Sequence, residues 1–324
     1  MIKFTKKKKK TSAKENGMQP QTQHGETITT ESGLVIPAPV VYKRKRHLEL
    51  LPHLVIIVAL LFVFVPVYIM LSTSIMSRVE SQSSKFHWFP ENPTLESYKQ
   101  LLTAKSDTTF WQSFINTMWI YVPSIAIGVF MSAGSAYAFA KIDFKLSKPM
   151  FGILLATMTL PNSLNQIVSY LMYAQIRWVG TPLPLMVPRM MGTIGIVFFL
   201  RQFFMGVPDD IMGAAYLDGL NEATIFVHIM VPLAMPSMLA QFLLTFIGAY
   251  NDYMGPLIYL LGYPEYTPLA LYIVNVNAQT NYVNPIWSRN MAAAVLGMLP
   301  LVTLYFVAQK YILKGISISS GLKG

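Results

Sequence analysis

Asp252 and Arg189 are the ionisable residues that lie deep inside the long apolar runs of this 324-residue chain. Charged groups are costly to hold away from water, so such positions are where chemistry is sought first. Around them stand polar but uncharged side chains within the same runs: Asn116, Asn162, Asn165, Gln166, Tyr170, Tyr250 and Asn251. Asn162, Asn165 and Gln166 follow Pro161, and their spacing puts them on one helical face. Amides both donate and accept hydrogen bonds, which suits the lining of a pathway for a polyhydroxylated solute. Tyr170, Tyr250, Asn251 and Asp252 complete that candidate lining. Hydrogen bonding between helices accounts for any one of these residues equally well. Asp252 reads better as the cap of a helix broken near Gly255-Pro256 than as an ion-coupling acid.

Other chemistries find no support. The chain has no cysteine, which removes disulfides, thiol nucleophiles and cysteine metal sites. His24, His47, His53, His87 and His228 are scattered without ligand spacing, so no metal site is expected. No G-x-x-x-x-G-K-[ST] phosphate loop occurs, so ATP is not expected to bind this chain in that way. Neither a Ser/His/Asp set nor a pair of carboxylates stands out, and no catalytic residue is assigned.

The elements that would position these residues are membrane spans. Hydrophobic residues make up 53% of the chain and charged ones 12%, where soluble domains carry about 25% charge. The pattern predicts an all-α polytopic membrane protein with six transmembrane helices. They are expected at about 52–75, 112–140, 149–173 (broken by Pro161), 183–205, 231–261 and 290–312, within a six-span transmembrane domain over 48–312. Residues 1–47 are basic and polar and read as a disordered cytoplasmic tail, not a signal peptide, and 313–324 read as a cytoplasmic C-terminal tail. The net charge of +10 sits beside the spans, which points to topology and anionic lipid and away from nucleic acid. With the N-terminus inside, 18 of the 25 lysines and arginines are cytoplasmic: eleven in residues 1–47, then Lys141, Lys145, Lys148, Arg201, Lys310, Lys314 and Lys323. Both termini are therefore expected in the cytoplasm of a multi-pass plasma-membrane protein. The outer segments 77–110 and 262–289 carry aromatic groups that read as interfacial anchors, or as a docking surface for an external partner.

Between spans four and five, Pro208–Pro232 is too polar to cross a bilayer. It predicts a helix, a tight turn at Asp218-Gly219 and a second short helix. Asn221 is its N-cap, Glu222 lies at its positive end, and Pro232 sits close to the start of the next span. The small residues Ala214, Ala215 and Gly219 would let a partner surface approach closely. The plain alternative is an ordinary connector.

This stretch resembles the cytoplasmic "EAA" loop of ABC importer permeases, in which E-A-A-x-x-x-G is followed by I-x-x-P. The matching residues are Gly213-Ala214-Ala215-Tyr216-Leu217-Asp218-Gly219 and Ile229-Met230-Val231-Pro232. More narrowly, the chain is similar to the smaller, maltose-transporter-type permease of the carbohydrate uptake class. Five further pieces carry that likeness: Pro93–Tyr98, Phe199–Phe204, Tyr250-Asn251-Asp252 where the family often has W-N-D, Met291-Ala292-Ala293, and the tail from Gln309 to Gly324. The likeness covers roughly residues 50–324. One departure is plain: the glutamate that opens the family motif is Gly213 here, and Asp209 or Asp210 could supply charge nearby.

The resemblance implies a non-enzymatic permease subunit of an ATP-driven, binding-protein-dependent importer, forming half of a pathway for a sugar, expected to be an oligosaccharide. It implies a second, different permease, two copies of a cytoplasmic ATPase subunit that carry ATP and Mg, and an extracytoplasmic solute-binding protein. No cofactor is expected on this chain. Gly213, Ala214, Ala215, Asp218, Gly219, Asn221, Glu222 and Pro232 would form the ATPase-coupling loop, and Lys314, Gly315, Gly321, Lys323 and Gly324 would bring the tail to the ATPase. The alternatives are the same importer type for a non-sugar solute, or an ion-coupled secondary carrier, which the scarcity of charge in the spans disfavours.

Overall fold

The computed structural model describes residues 27–29, 35–37, 50–83, 85, 87–103, 108–159, 162–279 and 286–321. The chain divides into two units, Met1–Val67 and Tyr68–Gly324. In the first, β1 (Thr27–Thr29) and β2 (Val35–Pro37) form a short antiparallel pair with Ile28 opposite Ile36. The first unit also holds the larger part of α1 (Leu50–Ser74), a 25-residue apolar helix. Residues 52–65 of α1 are exposed, the character of a helix that faces lipid. Apart from the strand pair, the described chain is helical.

In the second unit, α2 (Arg78–Ser81) and α3 (Glu96–Thr103) precede α4 (Phe110–Lys141). Helix α3 is amphipathic and buries Ser97 and Leu101. Tyr98 at its edge donates a hydrogen bond to Ser74 Oγ at 2.7 Å. Helix α4 is the axis of the bundle. Its buried face runs through Ser113, Thr117, Ile120, Ser124, Gly128, Ser132 and Ala136, a period of three and four on one helical stripe. Small residues on that stripe let other backbones come close. A Cβ on Gly128 would lie 2.0 Å from the carbonyl oxygen of Arg189, so only glycine fits there.

The expected third span is divided into α5 (Ser147–Thr157) and α6 (Asn162–Gln175); Pro161 lies outside the described residues. The expected fourth span is also divided, into α7 (Leu183–Met190) and α8 (Ile194–Met205). Gly192, at φ +89°, turns the chain between them, a conformation that costs glycine little. Helix α9 (Asp209–Leu217) follows, then α10 (Glu222–Ile225), a π-helical turn at Phe226–Met230 and α11 (Val231–Tyr250).

Pro232 is the second residue of α11, close to the start of that helix as expected, although the helical path is continuous from Glu222 to Tyr250 through the π turn. Proline cannot bond the carbonyl four residues back and crowds it. The wide π turn around His228 makes room for that ring. The fifth span stops at Tyr250, short of its expected end, and α12 (Met254–Leu260) is a separate helix.

A short 3-10 turn, Pro264–Tyr266, leads to α13 (Leu269–Gln279) and α14 (Trp287–Gly321). Helix α14 continues through the region expected to be a tail, so Lys314, Gly315 and Gly321 are helical; Lys323 and Gly324 lie outside the described residues. Among the described residues, five helical stretches are long and apolar enough to cross a membrane: Pro52–Ser74, Phe110–Lys141, Leu183–Met205, Glu222–Tyr250 and Trp287–Phe306.

Candidate functional site

The polar stretch after α8 is a built feature with defined ends. Asp209 and Asp210 occupy the first turn of α9, where carboxylates favour the positive end of a helix. At the other end, the Leu220 amide bonds the Ala215 carbonyl at 3.1 Å and the Gly219 amide bonds the Tyr216 carbonyl at 3.0 Å. With Gly219 at φ +79°, this is a Schellman stop, which a left-handed residue is needed to close. Nothing lies within 4 Å of a Cβ added at Gly219, so the glycine is required by backbone angle and not by space. Asn221 then caps the next helix, its Oδ1 accepting from the Thr224 amide and hydroxyl at 2.9 Å each.

Helix α9 presents one face outward and one inward. Met212 and Ala215 are buried against the bundle core, whereas Gly213 and Ala214 are exposed and Leu217, at the tip, is 91% exposed. The expected small-residue surface is therefore Gly213 and Ala214 with Gly219; Ala215 belongs to the interior. Space around Gly213 is open, since a Cβ added there would meet nothing within 4 Å.

Charge fixes this stretch to the end of α4. Lys141 Nζ donates to Asp209 Oδ1 at 2.5 Å and to the Val207 carbonyl at 2.7 Å. The lysine side chain is nearly buried and the aspartate is exposed, so Asp209 is already committed, whereas Asp210 is exposed. One turn back on the same face, Tyr137 donates to Glu222 Oε2 at 2.5 Å, while Tyr216 donates to Glu222 Oε1. That bond to a carboxylate raises the Tyr216 pKa above the ordinary tyrosine value. Phe226 packs on the Tyr137 ring at 5.4 Å. Arg201 donates to the Phe139 carbonyl at 3.1 Å and lies over the Phe151 ring. Sequence reasoning finds in Lys141 only a topological charge and passes over Tyr137 and Tyr216. The one local signal is that 137 and 141 share a helical face.

A second cluster sits where the broken helices meet, beside the middle of α4. Arg189 donates to Asp252 Oδ2 at 3.1 Å and to the Leu185 carbonyl at 3.1 Å. Asp252 Oδ1 accepts from the Gly255 amide at 3.0 Å, so this acid caps α12 and neutralises Arg189. The guanidinium carbon lies 5.0 Å from the centre of the Tyr121 ring. Ser132 Oγ accepts from the Thr193 amide at 3.1 Å, tying α4 to the turn between α7 and α8.

The expected pathway residues lie in separate surroundings, and no hydrogen bond among the described residues joins one to another. The side chains of Asn162 and Asn165 lie outside the described residues, although both positions are in α6. Gln166 is half-buried and Tyr170 exposed. Tyr250 is buried and donates to the Gly297 carbonyl at 2.8 Å, an interhelical bond. Asn251 is exposed and donates to the Ile247 carbonyl. Asn116 is buried and bonds the carbonyls of Glu265 and Thr267, which makes it structural. Among the described residues no group of three or more His, Cys, Asp or Glu could hold a metal ion. At the end of the bundle away from α9, a depression of about 320 Å³ is lined by Thr73, Glu80, Ser81, Lys85, His87 and Trp287.

Comparison with known proteins places this architecture. A family model described as "Binding-protein-dependent transport system inner membrane component" matches residues 109–318, from α4 through α14. "Inner membrane ABC transporter permease protein YcjP" of Escherichia coli (strain K12) is 29% identical over 267 residues, covering 82% of this chain and 93% of that protein. "Arabinooligosaccharides transport system permease protein AraQ" of Halalkalibacterium halodurans is 28% identical over 236 residues, covering 72% and 81%. A solved structure described as a bacterial ABC transporter involved in the import of the acidic polysaccharide alginate superposes with a TM-score of 0.72 at 21% identity. That match covers 85% of this chain and 99% of that one and establishes the likeness of fold.

Proposed function

The chain belongs to the family of binding-protein-dependent transport system inner membrane components, and from that premise we propose that it is the permease subunit of an ATP-driven sugar importer. It would form half of the translocation pathway, paired with a second, different permease. The observation that carries this reading is the α9 loop. A polar helix with an exposed, small-residue face and a firm internal anchor lies between two apolar helices in the region the family model matches. Such a face is shaped to enter a cleft on another protein.

In this reading the loop is cytoplasmic, as are both termini, and two ATPase subunits carry ATP and Mg. Their closure would push α9 and its counterpart together and open the pathway outward, while an external binding protein delivers the solute at the opposite end. Helices α5 and α6 would act together as the third of six spans. The last turns of α14 would reach the ATPase. The names of relatives that handle arabino-oligosaccharides support an oligosaccharide. A relative described as "sn-glycerol-3-phosphate transport system permease protein UgpE" gives a second reading, the same importer for a phosphorylated polyol.

Purification from native membranes with mass spectrometry tests the assembly: an ATPase and a second permease are expected to come with this chain, and its recovery without either would refute the proposal. Uptake by the purified complex of arabino- and malto-oligosaccharides, set against sn-glycerol-3-phosphate, decides between the two solute classes.

A further inference from the structure

The α9 loop has two covalent arms, α8 before it and the 222–250 helix after it. Side chains supply a third arm that the chain connectivity does not. At the start of α9, Lys141 holds both Asp209 and the Val207 carbonyl. Just past the turn, Glu222 is held by Tyr137, and the same carboxylate reaches back to Tyr216 near the end of α9. Both grips come from the last turn and a half of one helix, α4. Nine residues further into α4, about 14 Å along its axis, Gly128 lies against the Arg189 backbone. Ser132, between the two, holds Thr193.

We infer that Glu222 and the Lys141–Asp209 pair are positioning groups that make α9 and α4 one body, so that displacement of α9 reaches the break between α7 and α8 through α4. The alternative geometry is a loop that swings on its two covalent arms while α4 stays in place. It would need Gly206 and Leu220 to act as hinges and would break the Lys141–Asp209 contact and the Tyr216–Glu222 bond, while Glu222, beyond the second hinge, stayed on Tyr137. One carboxylate accepting from two tyrosines opposes that motion, because Glu222 is bonded to Tyr137 of α4 while it also holds Tyr216 of α9, so a swing would cost the second bond together with the Lys141–Asp209 contact. Coupling of this kind runs through packed, bonded contacts with a defined order, and each link can be cut separately.

The inference rests on α9 being the ATPase-coupling loop, and the test separates the two. The chain has no cysteine, so with partner subunits made free of cysteine, spin labels introduced at Ser135→Cys on α4 and Ile211→Cys on α9 report a single distance; both positions are exposed. The measurement is made on the complete purified complex in its nucleotide-free and ATP–vanadate-trapped states. The 135–211 distance is expected to stay within the roughly 1–2 Å by which packed helices adjust. Adding Glu222→Gln and Lys141→Met is expected to broaden that distance and let it change with nucleotide. A larger shift in the chain with native Glu222 and Lys141 would overturn the inference on its own, as would an unchanged, narrow distance in the doubly substituted chain. If that second chain fails to assemble, the first measurement still decides. Absence of any ATPase partner would overturn the coupling reading, and this inference with it.

Discussion

Among the described residues, the lysine–aspartate and arginine–aspartate pairs that join elements distant in sequence stand in opposite dielectric settings. Lys141–Asp209 joins a nearly buried lysine to an aspartate that is 90% exposed. Arg189–Asp252 is about three-quarters buried on both sides, with a tyrosine ring beneath the guanidinium. The exposed carboxylate is screened by water, which weakens its attraction for the lysine, and the Val207 carbonyl shares in holding that lysine. A pair inside the bundle cannot lose one partner without leaving a charge uncompensated, at a cost of ~3–5 kcal/mol. The α9 end is thus held by several modest contacts that act together, and the mid-bundle junction by one that cannot be given up. A moving surface is better served by the first arrangement, and a fixed fulcrum by the second.

The largest effect that would sharpen this contrast is expected at the junction. Asp252→Ala should lower the thermal midpoint of the detergent-solubilised complex strongly, because Arg189 is left charged and unpaired. The double change Arg189→Met with Asp252→Leu should recover much of that loss; a single change with no effect on the midpoint would erase the contrast. An intermediate effect is expected at Gly219→Ala, which forces a side chain into φ +79° at a cost of about 1 kcal/mol. Transport should fall while membrane insertion is retained, as measured by uptake against protein recovered in the membrane fraction. Normal uptake would reduce the turn to a connector. The smallest effect on stability is expected at Gly213→Glu, since the added side chain meets open space. An unchanged thermal midpoint combined with altered ATPase stimulation would show that the family's opening glutamate acts on the partner and not on this fold.

What was legible in the sequence was local. The α9 turn could be read because its signals are adjacent in the chain: a glycine able to take positive φ, then an asparagine whose side chain caps the following helix. Asp252 as a cap near Gly255 could be read for the same reason, although its pairing with Arg189 spans 63 positions. The break at Gly192 was hidden inside an apolar run, where a single glycine is compatible with a continuous helix. Pro232 marks the start of α11, as proline signals, but the π turn that joins that helix to α10 has no local signature. The Tyr137–Glu222 grip joins residues 85 positions apart, and no periodicity within one helix reveals a contact of that kind. Asn116 and Tyr250 show the same limit from the other side. Their polarity was visible, but whether they face a solute or a neighbouring carbonyl is decided by packing.

The wide turn at Phe226–Met230 has a consequence of phase. A π turn takes up one more residue than an α turn for the same rotation, so winding this segment as plain α-helix would rotate everything before it by about 100° relative to α11. Glu222 would then point away from Tyr137. The register of the anchor is therefore set a few residues downstream of it, by an irregularity that tolerates proline. A chain one residue shorter between Phe226 and Met230 could reach the same facing with no irregularity at all, which makes this the point where length and orientation can be exchanged.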